Sequence, residues 1–147
     1  MNTKQHILLI DDEPEILELL RMMLKTEGFE VSTADCGEAA LKKLEEANYD
    51  AVVCDYMMPR MDGITLLRHV RKKKNYTPFV FFSGNAEETH GVKMKSLGAY
   101  DFIEKPHVEL LADVLAKTIK HNESIKMLNP GIDEDDDFMD LLFTANG

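Results

Sequence analysis

The sequence predicts an α/β fold built on a parallel sheet, and two observations carry that expectation. Five short apolar runs recur, at residues 7–10, 29–34, 51–54, 79–82 and 100–103. Most are continuously apolar, the pattern of strands buried on both faces. Amphipathic stretches separate them, so each strand returns through a helix to a parallel neighbour.

Each helix has local support. Glu13-Pro14 opens the first, with proline at an early position where its missing N–H costs nothing. Ile16, Leu20, Met23 and Leu24 then fall on one face, and Gly28 is placed to cap the end. The second covers about 37–47, with Ala40, Leu41 and Leu44 inward. The third follows Asp62-Gly63 and turns Ile64, Leu67 and Val70 inward. A fourth, about 86–97, is weak because Gly91 lies inside it. The fifth starts near Val108 and carries Leu111, Leu115, Thr118 and Ile119 inward.

A chain of 147 residues suits one domain. Its 44% apolar and 30% charged residues are ordinary for a globular protein. The net charge of -10 makes direct contact with nucleic acid unfavourable. Asp133, Glu134, Asp135, Asp136, Asp137 and Asp140 place six of those charges in residues 129–147, where no Lys or Arg stands. The expected division is therefore a domain over 1–128 and an acidic tail over 129–147. Cys36 and Cys54 have neither disulfide-framework nor metal-site spacing, and Cys54 reads as a buried, reduced thiol. No signal-peptide pattern opens the chain and no apolar run reaches membrane-spanning length, so a cytoplasmic location without membrane contact is expected.

In open α/β sheets ligands bind outside the carboxyl ends of the strands. Asp11 and Asp12 directly follow the first run, Asp55 the third, Ser83 the fourth, and Lys105 lies just after the fifth. Strands often end in polar loop residues, which accounts for one or two of these. It accounts poorly for three carboxylates, a hydroxyl and a lysine at one end. Clustered carboxylates repel one another and need a cation to stay ionised. Oxygen-only ligands without His or Cys favour a hard ion, most naturally Mg²⁺. A carboxylate beside such an ion can attack a phosphoryl group, with Lys105 as a second positive charge and Ser83 as a donor.

Four segments in order resemble the receiver domains of bacterial two-component response regulators. They are Ile10-Asp11-Asp12-Glu13, the stretch Asp55-Tyr56-Met57-Met58-Pro59-Arg60-Met61-Asp62-Gly63, Ser83, and Gly98-Ala99-Tyr100-Asp101-Phe102-Ile103-Glu104-Lys105-Pro106. The resemblance covers about residues 5–120. It implies a flavodoxin-like, doubly wound sandwich: a five-stranded parallel sheet of order 2-1-3-4-5 flanked by five helices. Asp55 would be the phosphoacceptor. Asp12 would ligate Mg²⁺ directly, Asp11 through water, and Met57 through its backbone carbonyl. Lys105 would pair with the phosphoryl group, Ser83 would turn inward to it, and Phe102 would follow as a buried-or-exposed aromatic. Met57 and Asn85 would tune phosphate loss, and the Lys105-Pro106 bond would be cis. Gly84 departs from the family's usual Ala and loosens its loop.

The same resemblance implies a phosphohistidine donor on a histidine kinase or histidine phosphotransfer protein, and a downstream protein target that the sequence does not identify. The output face would be the fourth helix, fifth strand and fifth helix, on a monomer or weak homodimer. No external substrate is expected, so the protein would not be an enzyme in the ordinary sense. An aspartate-nucleophile phosphatase would want a second Asp where Met57 stands. In a flavin protein of similar fold, Asp11-Asp12-Glu13 would repel the phosphate. A phosphorylation-independent scaffold fits poorly with a complete site. A receiver module of a larger regulator is the remaining alternative, although nothing after residue 128 resembles an output domain, and a stand-alone regulator is expected.

Other features read more plainly. Arg71-Lys72-Lys73-Lys74 complements a helix dipole on a solvated face. The five histidines have no ligand spacing, and Met22, Met23, Met57, Met58 and Met61 are packing residues. Pro130-Gly131 should stop the fifth helix. Beyond it, Phe138, Leu141 and Leu142 at i, i+3 and i+4 make either a short docking helix or part of a disordered acidic tail.

Overall fold

The computed structural model describes residues 4–84 and 98–128. The expected fourth helix, Asn85 and the 129–147 tail lie outside the described residues. Five strands form one parallel sheet: β1 His6–Ile10, β2 Glu30–Ala34, β3 Ala51–Cys54, β4 Phe79–Ser83 and β5 Asp101–Glu104. Their order is β2-β1-β3-β4-β5, as the sequence led one to expect. Strand β1 lies between β2 and β3, pairing Leu8 with Ser32 on one side and with Val52 on the other. The order reverses at β1, which makes the carboxyl ends of β1 and β3 the switch point.

Side chains alternate across the sheet with period two. Leu8, Ile10, Val52, Cys54, Phe79 and Phe81 face one layer, and Ile7, Leu9, Val53, Val80, Phe82 and Ile103 face the other. The first layer holds helices α2 Gly37–Glu46 and α3 Gly63–Lys72. The second holds α1 Pro14–Thr26 and the C-terminal helix Leu111–Leu128. That last helix is entered through a 3-10 turn at Val108–Leu110, where the sequence placed its start. Leu111, Leu115, Thr118 and Ile119 are all buried. Among the described residues no helix is long and apolar enough to cross a membrane.

Helix ends are built by recognisable chemistry. Pro14 opens α1. At its other end Gly28 sits at φ +97°, its N–H bonds Lys25 O, and Phe29 N–H bonds Leu24 O. This is a Schellman motif, closed by the buried pair Leu24 and Phe29. Cys36 Sγ accepts from Ala39 N at the start of α2, and Asp62 Oδ1 accepts from Thr65 N at 2.8 Å at the start of α3. The inward face of α1 differs from expectation. Leu17, Leu20 and Leu24 are buried, while Ile16 and Met23 sit at the margin. A sheet covers only one stripe of a helix, and the i, i+3, i+7 set took it.

The basic run at the end of α3 is not wholly a solvated face. Lys72, Lys73 and Lys74 are exposed, but the Arg71 guanidinium turns under the helix. It donates to Asn75 O at 3.0 Å, Thr77 O at 2.9 Å and Gly98 O at 3.3 Å, and lies over the Phe79 ring. Burial pulls its pKa down to about 10, which still leaves it charged at neutral pH. Arg71 thus ties the α3–β4 connection to the turn that enters β5.

The junction between β3 and α3 is closely packed. A Cβ on Gly63 would lie 2.5 Å from Phe81 Cε1 and 2.6 Å from Asp55 O. Gly63→Ala should therefore cost about 1–3 kcal/mol in urea unfolding. Gly84 has nothing within 4 Å of an added Cβ, so Gly84→Ala should leave stability within about 0.5 kcal/mol.

Candidate functional site

The parallel ladder continues one residue past the strands and aims the polar side chains. Asp11 N donates to Ala34 O at 3.2 Å, Asp55 N to Ile10 O at 2.9 Å, and Lys105 N to Ser83 O at 2.8 Å. Asp11, Asp55 and Lys105 share the parity of Leu9, Val53 and Ile103, the residues that face α1 and the C-terminal helix. Residues 94 positions apart in the chain therefore meet at one end of the sheet.

Lys105 reaches from the end of β5 across β4 to Asp55, and across β4 and β3 to Asp11. Its Nζ is 2.9 Å from Asp11 Oδ2 and 3.4 Å from Asp55 Oδ2. On the way it passes 5.8 Å from the centroid of the Phe82 ring. Glu13 N donates to Asp11 Oδ1 at 2.9 Å, so both oxygens of Asp11 are engaged. Ser83 is buried at the end of β4, beside the Asp55 carboxylate. Asp12 stands exposed beside the pair.

Burial pushes the Asp55 carboxyl above its ordinary range. The Lys105 charge opposes that, Asp11 adds to it, and hydrogen bonds from Ser83 and Lys105 oppose it again. For Lys105, burial disfavours the ammonium but is outweighed, first by the hydrogen bond and charge of Asp11 and then by Asp55, so its pKa rises. Burial likewise raises the neighbouring Cys54 thiol well above its usual value, which fits the inert, reduced residue expected there.

Asp11, Asp12 and Asp55 each offer a carboxylate oxygen within 4.8 Å of the others. Lys105 sets one positive charge against three carboxylates, which leaves room for a divalent cation. An all-oxygen, anionic donor set fits a hard ion such as Mg²⁺.

The loop from Asp55 to Gly63 frames this cluster. Met57 is 57% exposed, Met58 is buried, and Met61 packs against Gly37 at the start of α2. Gly63 N bonds Tyr56 O at 2.8 Å. Phe102 is half-buried against the α2–α3 layer, and the Lys105-Pro106 bond is cis. Sequence reasoning gave Lys105 to an incoming phosphoryl group and overlooked its pairing with Asp11. The shared parity of the two positions was the available signal.

The raised Asp55 pKa has a consequence for stability. Its folded pKa exceeds the unfolded value, so its favourable contribution is present below the ordinary carboxylate pKa and lost as pH rises through the folded one. Without divalent metal, Asp55→Asn should thus be more stable than the parent at pH 7. The gap should shrink as the pH falls toward the ordinary carboxylate range. Urea midpoints in a chelator, measured across that span, read the difference directly.

Comparison with known proteins agrees with this geometry. A family model described as the response regulator receiver domain matches residues 7–120. ResD of Bacillus subtilis, a transcriptional regulatory protein, is 42% identical over 100 residues, which are 68% of this chain and 41% of ResD. The alkaline phosphatase synthesis transcriptional regulatory protein PhoP of Bacillus subtilis is 37% identical over 125 residues, 85% of this chain and 51% of PhoP. The chain thus spans about half the length of these relatives, or less. Among solved structures, the receiver domain of a Francisella response regulator matches with TM-score 0.78 and 28% identity, over 81% of this chain and 99% of that one. The Thermotoga maritima response regulator TrrA, solved in complex with Mg(2+)-BeF, matches with TM-score 0.70 and 34% identity, over 78% of this chain and 98% of that one. With the model spanning most of its length and the sheet order in place, this chain belongs to the response regulator receiver domain family of two-component signal transduction.

Proposed function

We propose that Asp55 accepts a phosphoryl group from a phosphohistidine of a sensor kinase or histidine phosphotransfer protein. The observation that carries this reading is the Lys105 amino group held between Asp11 and Asp55, with buried Ser83 beside them. A carboxylate oxygen of Asp55 would attack phosphorus and form the new P–O bond. The P–N bond to the donor imidazole would break, and its electron pair would return to the ring nitrogen, which takes up a proton. Lys105 Nζ and the Ser83 hydroxyl are placed to receive charge on the transferred oxygens. They are fixed before reaction by the sheet, so little reorganisation is needed.

Mg²⁺ suits the carboxylate set, and Asp11, Asp12, Asp55 and the Met57 backbone carbonyl would hold it. Bound there, the ion would offset charge on the phosphoryl oxygens. Similarity to TrrA, whose structure is described as a Mg(2+)-BeF complex, supports that choice of ion.

The phosphoryl group would add charge and acceptor oxygens beside Ser83 and Lys105. Phe102 and the face around β5 would answer that change and present a new surface to a downstream protein. Met57 and Asn85 would tune how fast phosphate is lost. Residues 1–128 would form the receiver and 129–147 a tail. The protein would act in the cytoplasm, as a monomer or weak homodimer, on no external substrate.

A second reading is favoured by the names of the relatives. ResD and PhoP are transcriptional regulatory proteins of which this chain matches about half or less. A receiver working within a DNA-binding regulator is therefore the alternative to a stand-alone switch. The net charge of -10 on these 147 residues argues that any DNA contact would be made by another domain or protein.

Intact mass after incubation with acetyl phosphate tests the chemistry. The parent should gain one phosphoryl group with Mg²⁺ and essentially none in chelator. Asp55→Asn should gain none while keeping its fold. A full phosphoryl gain on that variant would defeat the assignment.

A further inference from the structure

We propose that Arg60 is the steering residue of this site. Its exposed guanidinium draws an anionic phosphodonor toward Asp55 against the repulsion of the surrounding carboxylates. The proposal rests on the reading of Asp55 as phosphoacceptor.

Electrostatics set the need. The described residues that follow the carboxyl ends of the strands are 11–13, 35–36, 55–62, 84 and 105–107. They carry six carboxylates, Asp11, Asp12, Glu13, Asp35, Asp55 and Asp62, against two Arg or Lys side chains, Arg60 and Lys105. Lys105 is already committed to Asp11 and Asp55. A phosphodonor is itself anionic, so the mouth of the site opposes its approach. A divalent ion among the carboxylates would offset only part of that charge. Arg60 is exposed, and no hydrogen bond or ion pair engages it among the described residues.

Backbone geometry shows that arginine is not the residue this position favours. Arg60 has φ +70°, and Met61 N donates to Pro59 O at 2.8 Å. An i to i+2 bond about a central residue of positive φ is the rare, strained form of the γ-turn. Glycine or asparagine meets this conformation with less strain. The turn is imposed from both sides. Met58 is buried, the ring of Pro59 fixes its φ, Met61 packs against Gly37, and Asp62 caps α3. The fold therefore dictates the positive φ, and local preference would fill it with glycine. A cationic side chain there contradicts that preference, the pattern expected where a residue serves function.

Arg60 also lies close enough for its charge to act. Gly63 N bonds Tyr56 O and closes the loop, and a Cβ on Gly63 would lie 2.6 Å from Asp55 O. Arg60 is three residues from Gly63, so their Cα atoms are at most about 11 Å apart. Exposed charges are felt over about 10 Å at 0.1 M salt and about 30 Å at 0.01 M. The effect on an approaching donor is therefore largest at low ionic strength.

Initial rates of phosphorylation of the full chain by acetyl phosphate and by phosphoramidate, with Mg²⁺ and read by intact mass, test it. At about 0.01 M salt, Arg60→Asn should lower the second-order rate with acetyl phosphate about threefold or more. Arg60→Glu should lower it further, and Arg60→Lys should keep most of it. These differences should fade at about 1 M salt. Phosphoramidate carries less negative charge, because its nitrogen is protonated, so the loss with it should be smaller. Asparagine suits the positive φ, so the urea midpoint of Arg60→Asn should be at or above that of the parent, which separates lost steering from lost fold. Equal rates for the parent and Arg60→Glu at low salt would overturn the steering role. So would a loss that persists at high salt or is the same for both donors. Absence of any phosphoryl gain in the parent would overturn the Asp55 reading itself, and the steering role with it.

Discussion

A lysine ammonium suspended between two buried carboxylates is the interaction on which the site depends. Asp11 and Asp55 have side chains only 5% and 7% exposed, so their charges are costly unless compensated. Lys105 supplies the compensation from β5, across β4 to Asp55 and across β4 and β3 to Asp11. That reach works only if these four strands run parallel and in register, with their carboxyl ends level. The sheet order is thus a requirement of the electrostatics as well as a packing solution. The pair is left unequal. Asp11 holds the shorter contact and a backbone N–H, whereas Asp55 holds the longer one and a carboxyl raised by burial. Asp55 is accordingly the less satisfied carboxylate and the better placed to take a new partner.

The β3–α3 junction extends that constraint into the core. Gly63 allows the first turn of α3 to lie against Phe81 and the Asp55 carbonyl, and the Asp62 side chain fixes the helix start. The loop from Asp55 to Gly63 is closed over a distance that a methyl group would occupy. Phe81 also packs within the α2–α3 layer, so the position of Asp55 and the packing of that layer are set together. At the opposite end of the sheet Arg71 holds three backbone carbonyls, including that of Gly98 at the entry to β5. Lys105 and Arg71 therefore fix β5 from its two ends, one by side-chain charge and the other by backbone hydrogen bonds.

The functional reading draws on two kinds of argument. Membership of the receiver family rests on a match to residues 7–120, on relatives 37–42% identical and on the sheet order. The proposed chemistry rests on charge placement: three carboxylates against one lysine make a site with room for a hard cation and a phosphoryl group, each offsetting the other. Such a site responds to a change in charge with a change in contacts, which is what a switch requires.

Much of this was legible in the sequence. Apolar runs placed all five strands, most plainly β1, β3 and β4, where burial on both faces leaves almost no polar positions to confuse the period. Asp11, Asp12, Asp55, Ser83 and Lys105 were visible because each directly follows or lies just beyond a run, and strand ends define the active edge of a parallel sheet. The helix-starting Asp62 and the capping Gly28 were visible because their roles are local. Tertiary structure alone decided the pairings. Which carboxylate Lys105 meets depends on strand order, not on local pattern, and the partners are 94 and 50 residues away. Arg71 read as one of four solvated cations until the α3–β4 turn and Gly98 closed over it. That Leu17 joins Leu20 and Leu24 in the buried α1 stripe, in place of Ile16 and Met23 from the expected Ile16, Leu20, Met23 and Leu24, was likewise settled by how the helix rolled onto the sheet. Periodicity is a property of the backbone and can be read along the chain. Which side chains meet is a property of the assembled layers.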